Sequence, residues 1–122
     1  MISLPYKNPD TVTRLEQLLS RRILLMDGAM GTMIQNAGLD DNDFHGERFA
    51  DHSQALKGNN DILSLTKPDL IASIHRAFLE SGADFLETNT FNATSISQQD
   101  YGTQLLAAEI NRESAGIARR IS

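Results

Sequence analysis

Apolar residues recur along this chain with two different periods, and the alternation between them predicts the architecture. Val12, Leu15, Leu18 and Leu19 repeat at helical spacing, and the run closes on Arg21 and Arg22, so a lead-in helix of about three turns starting at Thr11 with Asp10 as its cap is expected. Ile23-Leu24-Leu25-Met26 is too short and too uniformly apolar for an amphipathic helix. It reads as a strand buried on both faces, as in parallel sheets, and Asp27-Gly28 ends it. A short helix over Ala29 to Ala37 follows, with Met30, Met33 and Ile34 on one side and Gly38 as its stop.

Residues 39–61 break the pattern. They carry Asp40, Asp41, Asp43, Glu47, Asp51 and Asp61 together with Gly46, Gly58 and Asn59-Asn60, and a loop of this length is commonly functional or mobile. Periodicity resumes at Thr66-Lys67-Pro68-Asp69, which has the form of a capping box with proline in the first turn, followed by Leu70, Ile71, Ile74 and Phe78 and a stop at Gly82. Phe85 to Phe91 is a second strand candidate that turns polar towards its carboxyl end. A last helix over Thr103 to Ser122 places Leu106, Ile110, Ile117 and Ile121 on one face.

Strands alternating with helices imply an α/β fold with a parallel sheet. Two strands cannot close a sheet or cover their own helices, whereas a (β/α)₈ TIM barrel requires eight such units in roughly 250 residues. An open doubly wound sheet also needs more strands than two, so an α/β fold incomplete in this chain is expected, with residues 1–22 as a lead-in helix and 23–122 as the first βα units. The remaining strands would lie beyond Ser122 or come from another chain.

Composition narrows the function. With 11 Lys and Arg against 16 Asp and Glu, the net charge of −5 argues against a nucleic-acid surface. The paired arginines, Arg21-Arg22 and Arg119-Arg120, sit where helix ends favour cations. No apolar run is long enough for a membrane span, and Pro5, Asn8, Pro9 and Asp10 occupy the place of a signal peptide's apolar stretch, so a cytoplasmic protein is expected. The absence of cysteine removes disulfides, thiolate zinc sites and a cysteine nucleophile from this chain.

Candidate chemistry gathers at the carboxyl ends of the two strands, where α/β folds keep their ligand sites. Two roles are open to Asp27: accepting a substrate ammonium or a proton, or capping the helix that follows. Gly28-Ala29-Met30-Gly31 permits close backbone approach to an anion, or is simply a tight strand-to-helix turn; it is neither a dinucleotide fingerprint nor a P-loop. By strand alternation, Glu87 and Asn89 share one face and Thr88 and Thr90 the other, as substrate contacts or as a polar edge. His45, His52 and His75 lack metal-ligand spacing, and Met26, Met30 and Met33 read as packing.

Four blocks, taken in order, carry a resemblance: Asp27-Gly28-Ala29-Met30-Gly31-Thr32-Met33-Ile34-Gln35, Gly46-Glu47-Arg48-Phe49-Ala50-Asp51, Leu56-Lys57-Gly58-Asn59-Asn60-Asp61, and Gly82-Ala83-Asp84 through Glu87-Thr88-Asn89-Thr90-Phe91. Together they resemble the homocysteine-binding domain of the cobalamin-dependent methionine synthases, from about Arg22 onward. The first and last blocks are similar to homocysteine S-methyltransferases generally, and the middle two to the cobalamin-dependent branch. The resemblance implies a (β/α)₈ barrel that binds homocysteine and zinc, with methylcobalamin on another module as methyl donor and methyltetrahydrofolate on a further domain remethylating it.

The resemblance also implies that Asp27 receives the homocysteine ammonium and the Gly28, Ala29 and Met30 backbone its carboxylate, with Glu87 and Asn89 lining the same mouth. The family's three zinc-binding cysteines have no counterpart here, so no metal ligand is carried over and the chain alone is expected to be inactive. Two other functions fit the same residues: a homocysteine S-methyltransferase using betaine or a methylated sulfonium donor, and a non-catalytic module completed by a partner chain.

Overall fold

The computed structural model describes residues 7–122. Seven α-helices follow in order: α1 (Pro9–Leu19), α2 (Met30–Asn36), α3 (Asp41–His45), α4 (Leu63–Thr66), α5 (Pro68–Glu80), α6 (Ser95–Gln98) and α7 (Ala107–Ile121), with single 3₁₀ turns at Asn60–Ile62, Gln99–Tyr101 and Gln104–Leu106. The core lies where α4, α5 and α7 pack against one another. Ile71 and Ile74 of α5, Ile110 and Ile117 of α7, and Leu63 of α4 are all buried there. Each such side chain contributes about 1.5–3 kcal/mol relative to exposure. The helical periodicity of α5 and α7 thus identified their buried faces, and Ile34, with Met30 and Met33 beside it, joins α2 to the same core.

Helix starts differ from expectation at three places. Asn8, not Asp10, caps α1: its Oδ1 accepts from the Asp10 backbone N–H at 3.2 Å, and Pro9 takes the first turn, where its missing N–H costs nothing. The capping box at Thr66 does not form. Thr66 is the last residue of α4 and its hydroxyl donates back to the Ile62 carbonyl, while Lys67 precedes α5 with no side-chain cap. Asp27 does not cap α2, which starts after Ala29 without a side-chain cap.

The two strand candidates are reduced to one parallel bridge between Met26 and Phe85. Asp27 N–H donates to the Phe85 carbonyl at 2.9 Å and Phe85 N–H to the Leu25 carbonyl at 3.1 Å. The direction of pairing is as expected, but the burial is not: Ile23 is 84% exposed, Leu25 57% and Met26 60%. A pair of segments has two free edges, and among the described residues only Leu24 of the first segment's apolar run is half-buried. The described chain is accordingly helix-rich, with no full strand among its residues. None of its helices is long and apolar enough to cross a membrane.

Asp84 holds this bridge in register. Its carboxylate takes the Arg22 guanidinium at 2.8 and 2.6 Å and the Leu25 N–H at 2.9 Å, so the arginine expected to serve the end of α1 instead ties the entry of the first segment to that of the second. The guanidinium, followed by the Leu25 N–H, holds the Asp84 pKa at about 2. A depressed carboxylate pKa gives stability that is full above the unfolded value near 4 and is lost as pH falls towards the folded value. Acid unfolding should therefore show a destabilising limb between about pH 4 and 2. D84N should remove that limb in circular dichroism titrations; an unchanged acid profile would show the Arg22 contact to be without consequence.

The polar stretch 39–61 is ordered by its own acids. Asp40 and Asp43 form a reciprocal capping box on α3, and Asp41 Oδ1 accepts the Leu56 and Lys57 N–H groups at 2.8 Å each. Arg48 makes a bidentate pair with Glu109 of α7 at 2.5 and 2.8 Å. Gly46 sits at φ +58°, with Thr66 Cβ 3.3 Å from where a side chain would begin, so this turn requires glycine. The long loop is a strap across the helical core, tied down through Asp40, Asp41 and Asp43, while Glu47 and Asp51 stay exposed.

Candidate functional site

The ends of the two extended segments open onto a cleft of about 770 Å³. Asp27, Gly28, Ala29 and Met30 line one side, Glu87 and Asn89 the other, and Asn60 and Asp61 form part of the wall. All six residues singled out from the sequence thus meet at one cavity, across a bridge between positions nearly 60 residues apart.

Asp27 lies at the floor. Its side chain is 5% exposed, Oδ2 faces the His75 imidazole Nδ1 at 3.7 Å, and Oδ1 accepts the Glu87 backbone N–H at 2.8 Å. Of the two roles open to it, capping is excluded by geometry, because its oxygens are directed across the bridge and towards α5. Among the described residues no lysine or arginine pairs with it. A nearly buried carboxylate with one N–H donor and no cationic partner is costly unless a cation arrives from outside.

The turn beside it is strained. Ala29 adopts φ +50°, ψ +27°, the left-handed conformation that costs a residue with a Cβ about 1–2 kcal/mol. This brings the chain from the bridge directly into α2, so that the uncapped start of the helix faces the cleft.

Glu87 and Asn89 do not share a face. The backbone folds at Thr88–Thr90, where Thr90 N–H donates to the Thr88 carbonyl at 2.8 Å and the two hydroxyls meet at 2.6 Å, and strand alternation ends. Glu87 stays exposed at the mouth. Asn89 is drawn inward, its amide donating to the Asn60 carbonyl at 2.9 Å and to Ser64 Oγ at 3.3 Å, and its carbonyl accepting from Ser114 Oγ at 3.1 Å.

Two residues, one in the wall and one beneath the floor, were not distinguished by sequence. Asp61 is buried and accepts the Asn92 N–H at 2.7 Å, and burial, the largest influence, raises its pKa above the ordinary carboxylate value. His75 is wholly buried under Asp27. The signal for His75 was its spacing: it stands four residues after Ile71 and three before Phe78, on the buried face of α5, where a polar ring requires an explanation. For Asp61 the surrounding acids obscured it.

The other histidines serve the strap. His45 sets Nδ1 against the Asp41 carbonyl at 2.8 Å and Nε2 against the Gln54 carbonyl at 3.0 Å. Two acceptors require two N–H donors, so the imidazolium form is favoured, and these contacts raise its pKa, the Asp41 carbonyl most. His52 Nε2 meets the Tyr101 carbonyl at 2.7 Å. Among the described residues no group of three His, Cys, Asp or Glu side chains is gathered as a metal site.

The homocysteine S-methyltransferase family model matches residues 24–122, from the first extended segment through α7. The chain belongs to the homocysteine S-methyltransferase family. The matched region contains the entire cleft and both sides of the bridge. In a homocysteine S-methyltransferase the ligand brings an ammonium, a carboxylate and a thiol, and the cleft presents an unpaired acid beside an uncapped helix start.

Proposed function

We propose that this cleft holds the amino-acid end of homocysteine, within the N-terminal portion of a (β/α)₈ barrel, in a cytoplasmic methyltransferase that forms methionine. The observation that carries the reading is Asp27: a carboxylate at the cleft floor, without a cationic partner, inside a region matched by the family. The homocysteine ammonium would take the Asp27 carboxylate, the backbone of Gly28, Ala29 and Met30 its carboxylate, and Glu87 the mouth, while Asn89 supports the wall from within. The apolar edge at Ile23, Leu25 and Met26 supports the barrel, because further parallel strands would bury it.

Zinc is the group the family implies for thiol activation, since a metal-bound thiol is deprotonated at neutral pH. The residues present do not fit it. There is no cysteine, and His45 and His52 spend ring nitrogens on backbone carbonyls. This chain by itself is expected to transfer no methyl group.

For the donor, we favour methylcobalamin held on another module and renewed from methyltetrahydrofolate, on the strength of the blocks at Gly46–Asp51 and Leu56–Asp61. The fold gives these blocks a task, since they form the strap and wall of the cleft. Titrating the ¹⁵N-labelled chain with L-homocysteine is expected to shift the amides of residues 27–32 and 87–92 saturably. No shift at millimolar ligand would remove the reading. Assays of the complete protein with methylcobalamin, betaine and a methylated sulfonium donor in turn are expected to give methionine with the first alone.

A further inference from the structure

His75 is fully buried on α5, and neither ring nitrogen has a hydrogen-bond partner. Such a residue carries a persistent cost, because a buried polar group left unsatisfied has lost its hydration without a replacement. The carboxylate at the cleft floor lies near it, with Nδ1 at 3.7 Å from Asp27 Oδ2, while the other oxygen of that carboxylate is held by the Glu87 N–H at 2.8 Å. The ring therefore approaches the same carboxylate from the interior side, opposite the bridge.

We propose that His75 is a positioning residue for the ligand ammonium: as a neutral imidazole it stands beneath Asp27 Oδ2, and on ligand binding its Nδ1–H closes on that oxygen without cancelling the carboxylate's charge. The inference rests on the reading of Asp27 as the ammonium acceptor. A lysine or arginine at this position would neutralise Asp27 internally and leave nothing for an incoming cation. A leucine would let the carboxylate rotate about its single anchor. A neutral histidine avoids both faults, and burial, the largest influence on its pKa, favours that form by lowering the value below the ordinary one. The 3.7 Å separation is too long for a hydrogen bond, and closing it would draw the acid into its ligand-bound position.

The test compares two ligands on one protein. L-homocysteine carries the ammonium; 4-mercaptobutyrate has the same chain and carboxylate without it. Calorimetric titration of H75F is expected to show homocysteine binding weakened by about tenfold, the scale of one hydrogen bond to a charged group, with 4-mercaptobutyrate binding unchanged. H75Q, whose amide retains a donor, is expected to recover part of the loss and guards against a packing defect in H75F.

Equal weakening of both ligands in both variants would show a merely structural histidine and overturn the proposal. So would wild-type homocysteine affinity in H75F while D27N has lost it. If D27N itself binds homocysteine normally, the reading of Asp27 falls first and the role of His75 with it.

Discussion

Replacing Asp27 by Asn is expected to weaken homocysteine binding by about 100-fold, towards the lower end of the range for removing one partner of a desolvated charge pair. The substitution preserves shape and leaves an oxygen to accept the Glu87 N–H, so the bridge between Met26 and Phe85 and the start of α2 should persist. What is lost is the negative charge. The thermal midpoint should therefore move little while affinity collapses, and 4-mercaptobutyrate should bind as before. Calorimetry on the two ligands, paired with thermal melts, separates this from unfolding. Undiminished homocysteine affinity in a folded D27N protein would place the ammonium elsewhere.

The second large effect is expected at Asn89, and it concerns stability. Its amide donates to the Asn60 carbonyl and reaches Ser64 Oγ, which lies 2.6 Å from Ser114 Oγ. This polar knot joins the cleft wall to α4 and α7 in a region closed to water. Asn89→Ala removes the hydrogen bonds to the Asn60 carbonyl and to Ser64 Oγ and leaves the Asn60 carbonyl with the Leu63 N–H alone, at a cost of about 2 kcal/mol for two buried hydrogen bonds. For a domain of this size that corresponds to a fall in melting temperature of roughly 10 °C. Glu87→Gln, at the exposed mouth, should leave the melting temperature within about 2 °C of the parent. Thermal denaturation of the two variants side by side checks the contrast; similar melting temperatures would show that Asn89 is not a structural anchor.

These two residues illustrate what a linear pattern can and cannot carry. Strand alternation placed Glu87 and Asn89 on one face, and that inference holds only while the backbone stays extended. At Thr88–Thr90 it does not, because hydrogen-bond partners from the Asn60 turn and from α4 and α7 pull Asn89 inward. Those partners lie between 25 and 29 residues away, so local sequence held no record of them. The same limit applied at Thr66. The residues of a capping box were present, but α4 already used Thr66 as its last turn, and a cap cannot also be helical.

The long polar stretch shows the reverse case. Its acids and glycines marked it as irregular, and irregular it is, yet it is firmly tied down. Asp41, Arg48 and Asp61 each hold a distant backbone group or opposite charge, which converts a charged loop into part of the cleft. Charge counts report composition; the pairing that makes it structural is a matter of geometry.

The sequence by itself determined the two long core helices α5 and α7 and their buried faces, since the 3.6-residue recurrence of Ile71 and Ile74, and of Ile110 and Ile117, is a local property that packing only completes. It also determined that an acid and a glycine turn would follow an apolar segment, and through four ordered blocks it pointed to the homocysteine S-methyltransferases, the family the chain belongs to. Tertiary structure alone decided that the acid is not a cap. A cap and a ligand carboxylate have the same sequence signature, and the approach of Glu87 and His75 to opposite oxygens of Asp27 excludes the first. It likewise decided that Ile23, Leu25 and Met26 are exposed among the described residues, because burial belongs to neighbours in space and the apolar run encodes only the demand for them.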